Sequence, residues 1–175
     1  MQAQNEHGIA KLYNCSMCDI IESVTATYRA GFIKGDERVA KLKFGSDEWV
    51  QALHDELNNT QAYEDAAKNW EGDFYFVVNP EGEIKEPIYL YFDLWHGKSR
   101  EAFVVKDKDA KNPAFVMSGP YSKWKKVVLA QLDPIQALMT GQLKLKGNMV
   151  MVMKNVKAAQ EIVRACTRID TEFDM

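Results

Sequence analysis

The chain has 175 residues, 46% hydrophobic and 27% charged, with a formal net charge of −3. This is the make-up of a water-soluble globular domain with a core large enough to need no disulfide staples. Without clustered Lys and Arg, nucleic acid is excluded as a partner, and the absence of any run of eighteen apolar residues excludes integral membrane association. Three cysteines, an odd number, and an N-terminus lacking the basic start and apolar stretch of a secretory signal place the protein in the cytoplasm.

From His7 to Ala30 the apolar positions Ile9, Leu12, Tyr13, Met17, Ile20, Ile21, Val24 and Tyr28 recur every three or four residues, one stripe on an amphipathic helix. Gly31 is placed to end it, and Lys34 to Arg38 reads as a charged hinge. Residues 1–43 are therefore an extension, and the main domain, 44–175, opens at Phe44. Ser46 caps a helix with Asp47 and Glu48 in its first turn and Trp49, Val50, Leu53 and Leu57 on its apolar face. Thr60 starts a second helix with Tyr63, Ala66, Ala67 and Trp70 on one side, ended by Gly72.

The period then changes from that of a helix to that of a strand. Phe74, Phe76 and Val78 alternate with Tyr75 and Val77, and Asn79–Pro80–Glu81–Gly82 reads as a type I turn. Ile88 to Trp95 is a longer strand: Ile88, Leu90, Phe92 and Leu94 make a wholly apolar face, Tyr89, Tyr91, Asp93 and Trp95 a mixed one. His96 to Ser99 turns the chain into a third strand, Arg100 to Val105, and the charged loop Lys106 to Asn112 leads to a fourth, Pro113 to Ser118. Helices return with Trp124, Val127 and Val128 on one face. Asp133 caps the next helix, with Pro134 at its first position and Ile135, Leu138 and Met139 on its buried side. Leu143 and Leu145 alternate with Lys144 and Lys146 in a fifth strand, and Asn148 caps a methionine-rich turn of helix. A last helix runs from about Asn155 to Arg168 with Val156, Ala159, Val163 and Cys166 inward.

Four of the eight methionines, Met139, Met149, Met151 and Met153, fall within fifteen residues. Methionine is unbranched and polarizable, so a wall built from it can re-pack around guests of different shape; it is also ordinary core filler. Chemistry-bearing residues are sparse. Cys15-x-x-Cys18 lacks the second half of a zinc site, with only His7 and His54 as further candidates, and Cys166 reads as an inert buried thiol. His7, His54 and His96 share no motif and no GxSxG elbow occurs; a nucleophile would need a Ser or Cys held by one of them and a third group orienting it. Asp93 is the one acid placed to orient a polar head group, and Lys144 with Lys146 suits a phosphate or an acidic lipid surface. The plain reading of all three is a solvated strand face.

The order of elements resembles the sterol carrier protein type-2 family over roughly Phe44 to Ile169, in its single-domain microbial form. The residues that carry the resemblance are FGSDEW at 44–49 with the helices ending at Trp70, then Trp124, Asp133–Pro134, the Leu-Met-Thr-Gly of 138–141 and Lys144-Leu-Lys-Gly-Asn-Met149. It implies an α+β fold, a five-stranded sheet with helices packed on one face enclosing an apolar tunnel. It also implies non-covalent binding and transfer of a lipid, fatty acid, fatty acyl-CoA or sterol-like molecule, with no enzymatic step, catalytic residue, cofactor or metal. Family tunnels point, in this sequence, to Trp124, Val128, Ile135, Leu138, Met139, Leu143, Leu145, Met149, Val152 and Met153. Residues 1–43 have no counterpart there; their polar face is poor in Lys and Arg, so they read as a homodimer arm or a lid rather than a membrane-surface helix. Two other readings stand beside the carrier: a small α+β enzyme acting on an apolar ketone or thioester through Asp93 or His96, and an accessory, dimerising subunit of a lipid-metabolising complex.

Overall fold

The computed structural model describes residues 41–173. The helix read over residues 7–30, the Cys15-x-x-Cys18 pair, the 34–38 hinge and the homodimer-arm or lid reading lie outside the described residues.

Leu42–Lys43 (β1) pairs in parallel with Thr171–Glu172 (β7), so the two ends of the described chain are joined. Then comes α1, Asp47–Asn58, held at its start by Ser46, whose Oγ accepts from the Trp49 N–H at 3.2 Å. Its apolar face, Trp49, Val50, Leu53 and Leu57, is buried. The second helix, α2, is shorter than its stripe suggested, Gln61–Ala67. Thr60 does not cap it; the Thr60 hydroxyl donates back to the Glu56 carbonyl at 2.7 Å. Trp70 leaves the helix and ties its indole N–H to the Gly72 carbonyl at 2.9 Å.

Five strands form the main sheet: β2 (Glu71–Asn79), β3 (Ile88–Trp95), β4 (Lys98–Val105), β5 (Phe115–Pro120) and β6 (Lys144–Lys146), in the order β4-β3-β2-β5-β6. β2, β3 and β4 are an antiparallel meander, β5 runs parallel to β2, and β6 returns antiparallel. The β3–β4 connection is a two-residue loop, His96 (φ 47°) and Gly97 (φ 79°), both left-handed as a type I′ turn requires. Gly97 is also needed for close approach, since a Cβ there would lie 2.5 Å from the Glu64 carbonyl oxygen of α2. The turn after β2 falls two residues later than Asn79–Gly82. Glu81 and Ile84 exchange two backbone hydrogen bonds at 3.1 Å, and Gly82 supplies the positive φ that this closure demands.

An exposed sheet edge is an aggregation hazard, and α1 covers the β4 edge with side chains. Asp47 accepts from the Val104 N–H at 2.9 Å and Gln51 donates to the Ala102 carbonyl. Asn58 both accepts from the Ser99 N–H and donates to the Ser99 carbonyl, each at 2.9 Å.

After the meander come α3 (Tyr121–Val128), α4 (Pro134–Met139), α5 (Met149–Lys154) and α6 (Val156–Thr167). Asp133 Oδ1 accepts from Ile135 N and Gln136 N, and Asn148 Oδ1 from Met151 N, so α4 and α5 carry the caps read from sequence. One sheet face, with Phe74, Phe76, Val78, Leu90, Phe92, Leu94, Phe115 and Met117, packs against the helices in the main core. The opposite face carries a smaller cluster around Tyr75, Val77, Tyr91 and Val105. This is the α+β architecture that the resemblance implied.

Two side-chain placements differ from the sequence reading. Met139 is not on the buried side of α4 but 74% exposed. The chain reverses directly after it and the N–H groups of Gln142 and Leu143 close onto the Ala137 carbonyl, so the fully buried Ala137 takes the inner seat. In α6 the buried positions are Ala158, Glu161, Val163, Ala165 and Cys166, with Val156 and Ala159 only half-buried. Helices α1 to α5 all pack against α6, which widens its buried arc beyond a single stripe.

Candidate ligand site

The sheet and the helices do not close completely upon each other. Between them lies an apolar cavity of about 70 Å³. Tyr63 of α2 with Trp70, Phe74, Phe76, Leu94 and Met117 form one side; Trp124, Val127, Pro134, Val152, Asn155, Ala158, Ala159, Ile162 and Val163 form the other. A second lobe of about 50 Å³ continues among Phe44, Trp49, Leu53, Val78, Leu90, Phe92, Val128 and Cys166. Phe76, Trp124, Val127, Ile162 and Val163 line both and divide them.

Local chemistry explains these walls. Alternation along β2 and β3 turns Phe74, Phe76, Phe92 and Leu94 toward the helices, and the rings brace one another. Phe74 stacks on Phe76 at 5.0 Å, and Phe76 meets Trp124 edge-on at 5.7 Å and 79°. Trp124 is fixed by its indole N–H, which donates to the Val77 carbonyl at 2.9 Å inside the protein. The space opens where α6 presents Ala158 and Ala159, side chains that end at Cβ. Burial pushes the Tyr63 phenol well above its ordinary range and the Cys166 thiol up to about 12, so both walls stay neutral across physiological pH.

Of the residues to which the resemblance pointed, Trp124 and Val152 line the larger lobe, and Trp124 and Val128 the smaller. Ile135, Leu138 and Leu143 are buried in the core beside them, and Leu145 is half-buried. Met139, Met149 and Met153 are exposed. The sequence reading did not single out Tyr63, Phe74, Phe76, Leu94, Met117 or Ile162 as wall residues. The signal for the strand residues was the apolar face of the strand pattern, there read only as core.

The polar candidates lie elsewhere. Asp93 accepts from Arg100 at 3.0 and 2.9 Å, and that guanidinium sits 4.6 Å above the Trp95 ring. His96 is in the hairpin turn, bonded to the Lys68 carbonyl at 2.7 Å and to Glu71 at 3.1 Å. Neither lines either lobe.

The fold does assemble one Ser–His–Asn set that no local motif announced. His54 Nδ1 lies 2.8 Å from Ser99 Oγ, and Asn58 Nδ2 lies 3.2 Å from His54 Nε2. The Ser99 N–H must donate to Asn58 Oδ1, so Asn58 Nδ2 is the donor toward His54 and the ring accepts at Nε2. Neutral imidazole then carries its proton on Nδ1 and donates it to Ser99. A ring in that tautomer has no lone pair facing the hydroxyl and cannot take its proton, and Ser99 is buried. The set is a latch between α1 and β4.

Among the described residues no group of three or more His, Cys, Asp or Glu side chains could hold a metal ion, and no helix is long and apolar enough to cross a membrane.

Fold and cavity together define the class: an α+β domain whose mixed sheet and helices enclose apolar space. The model of the SCP-2 sterol transfer family matches residues 50–160, and the chain belongs to that family. A crystal structure of sterol carrier protein 2 is 31% identical, over 73% of this chain and 99% of that one, with a TM-score of 0.66. The solution structure of a conserved hypothetical protein from Thermus thermophilus, possibly a sterol carrier protein by its own description, is 30% identical, over 79% and 97%, with a TM-score of 0.69. No curated protein sequence matches the chain.

Proposed function

We propose that this protein carries a hydrophobic ligand non-covalently in the space between sheet and helices and releases it unchanged, without catalysing a reaction. The observation that carries the reading is the two-lobed apolar cavity, whose walls hold no charged side chain. A buried ionised head group would be costly without a partner. The ligand therefore puts an acyl chain or a sterol-like body inside and keeps any charge, a carboxylate or the phosphates of an acyl-CoA, outside.

Lobes of about 70 and 50 Å³ are smaller than the roughly 300–1,000 Å³ typical of ligand pockets. A long-chain guest must push the dividing side chains apart. Burying about ten methylenes at ~0.8 kcal/mol each supplies roughly 8 kcal/mol, near micromolar before association and rearrangement costs. Weak, exchangeable binding suits a carrier. The test is transfer of a fluorescent fatty acid or sterol between donor and acceptor vesicles. A rate that rises with protein concentration is expected; a rate equal to that of buffer alone contradicts the reading.

Self-association through residues 1–43 is a separate proposal, supported by their apolar stripe. Sedimentation of the full chain against one beginning at Lys41 tests it. The cut belongs there, since Leu42–Lys43 already pair with β7. An unchanged mass rules the arm out.

A further inference from the structure

A surface helix ordinarily has one apolar face and one polar face. α5, sequence MVMVMK, does not. Val152 faces the cavity, while Met149, Val150 and Met153 face solvent at 39%, 62% and 40% exposure. One short helix is thus a wall of the ligand space on its inner side and an apolar patch on its outer side. Contiguous exposed apolar residues of this kind mark interaction surfaces.

Charge says what the patch meets. Between Asp133 and Glu161 the chain has four lysines, Lys144, Lys146, Lys154 and Lys157, and no acidic residue, within a chain of net charge −3. All four are exposed; Lys146 stands three residues before α5 and Lys154 is its last residue. Apolar side chains framed by lysine fit an interface whose outer layer is anionic and whose next layer is hydrocarbon.

We propose that the outward face of α5, with Lys144, Lys146 and Lys154 around it, docks this protein on an anionic lipid membrane. Docking there brings the cavity wall to the bilayer, where an apolar ligand passes between the two without crossing water. The consequence for transfer rests on the carrier reading; the docking itself does not.

Flotation of the full chain with vesicles tests it, phosphatidylcholine alone against phosphatidylcholine with about one-third phosphatidylserine. The protein is expected to float with the anionic vesicles and to be released by salt. V150D, which puts an acid at the most exposed apolar position, should weaken binding more than tenfold. K144Q/K146Q should weaken it by about fivefold per lysine at low salt. Both variants keep every residue of the cavity walls, so titration with a fluorescent fatty acid in solution should match the wild type. Flotation that persists in V150D and K144Q/K146Q overturns the proposal, because another surface then does the binding. Failure of the wild type to float also overturns it and leaves the patch to a protein partner. Lost fatty-acid binding in the wild type, with flotation intact, sinks the carrier reading and spares the docking surface.

Discussion

Replacing Ala159 with leucine fills the larger lobe from within. Ala159 sits on the face of α6 that lines the cavity, beside Asn155, Ile162 and Val163. At ~24 cal/mol per Å³, a void of about 70 Å³ costs roughly 1.7 kcal/mol. Leucine is a good helix former and adds three carbons, so the variant should gain ~1–2 kcal/mol, about 3–6 °C in Tm. The same carbons occupy the space a ligand needs. Thermal unfolding followed by titration with a fluorescent long-chain acyl probe should therefore show higher stability together with loss of uptake. A more stable variant with unchanged uptake would put the ligand outside this lobe and contradict its assignment as the ligand space. Overpacking, costing ~1–3 kcal/mol, would show instead that the wall residues cannot yield even to a leucine.

Asn58→Leu removes both hydrogen bonds to the Ser99 backbone and the contact with His54, and should cost about 2–3 kcal/mol in urea unfolding. Because burial raises the Cys166 thiol from 9.0 to about 12, the unfolded chain ionises first between those values; stability is full below pH 9 and falls as pH rises through that window. Urea midpoints at neutral pH and above pH 9 should show this fall, made shallower by Cys166→Ala. Asp93→Asn, which weakens a pair with a half-exposed Arg100 on a residue lining neither lobe, should change stability by about 1 kcal/mol and leave acyl-probe binding unchanged. A large loss of binding there would revive the enzyme-like reading of Asp93.

What the sequence disclosed was what is local. Ser46, Asp133 and Asn148 cap because a side-chain oxygen reaches an N–H two or three residues on. Ile88 to Trp95 is a strand because alternation writes the period directly into eight residues. β1 and β7 were invisible since two residues have no period, and their pairing spans most of the chain. The turn after β2 was misplaced because Asn-Pro-Glu-Gly satisfies turn chemistry at more than one register. The Ser99 latch joins residues 41 and 45 positions apart.

The family was legible from the 124–149 segment, but the cavity walls were largely not. A cavity is set by where side chains stop, and it opens where Ala158 and Ala159 of α6 face Phe74 and Phe76 of β2. The methionines that drew attention divide, Met149 and Met153 outward and exposed, Met151 half-buried against the core.

Whether this cavity carries an apolar ligand is decided by saturable binding of a fluorescent long-chain acyl probe, displaced in turn by unlabelled fatty acid, acyl-CoA and sterol. One-to-one binding near micromolar is expected, with the displacement order naming the ligand class. A probe that never saturates, or that no apolar competitor displaces, would contradict a carrier built around this cavity.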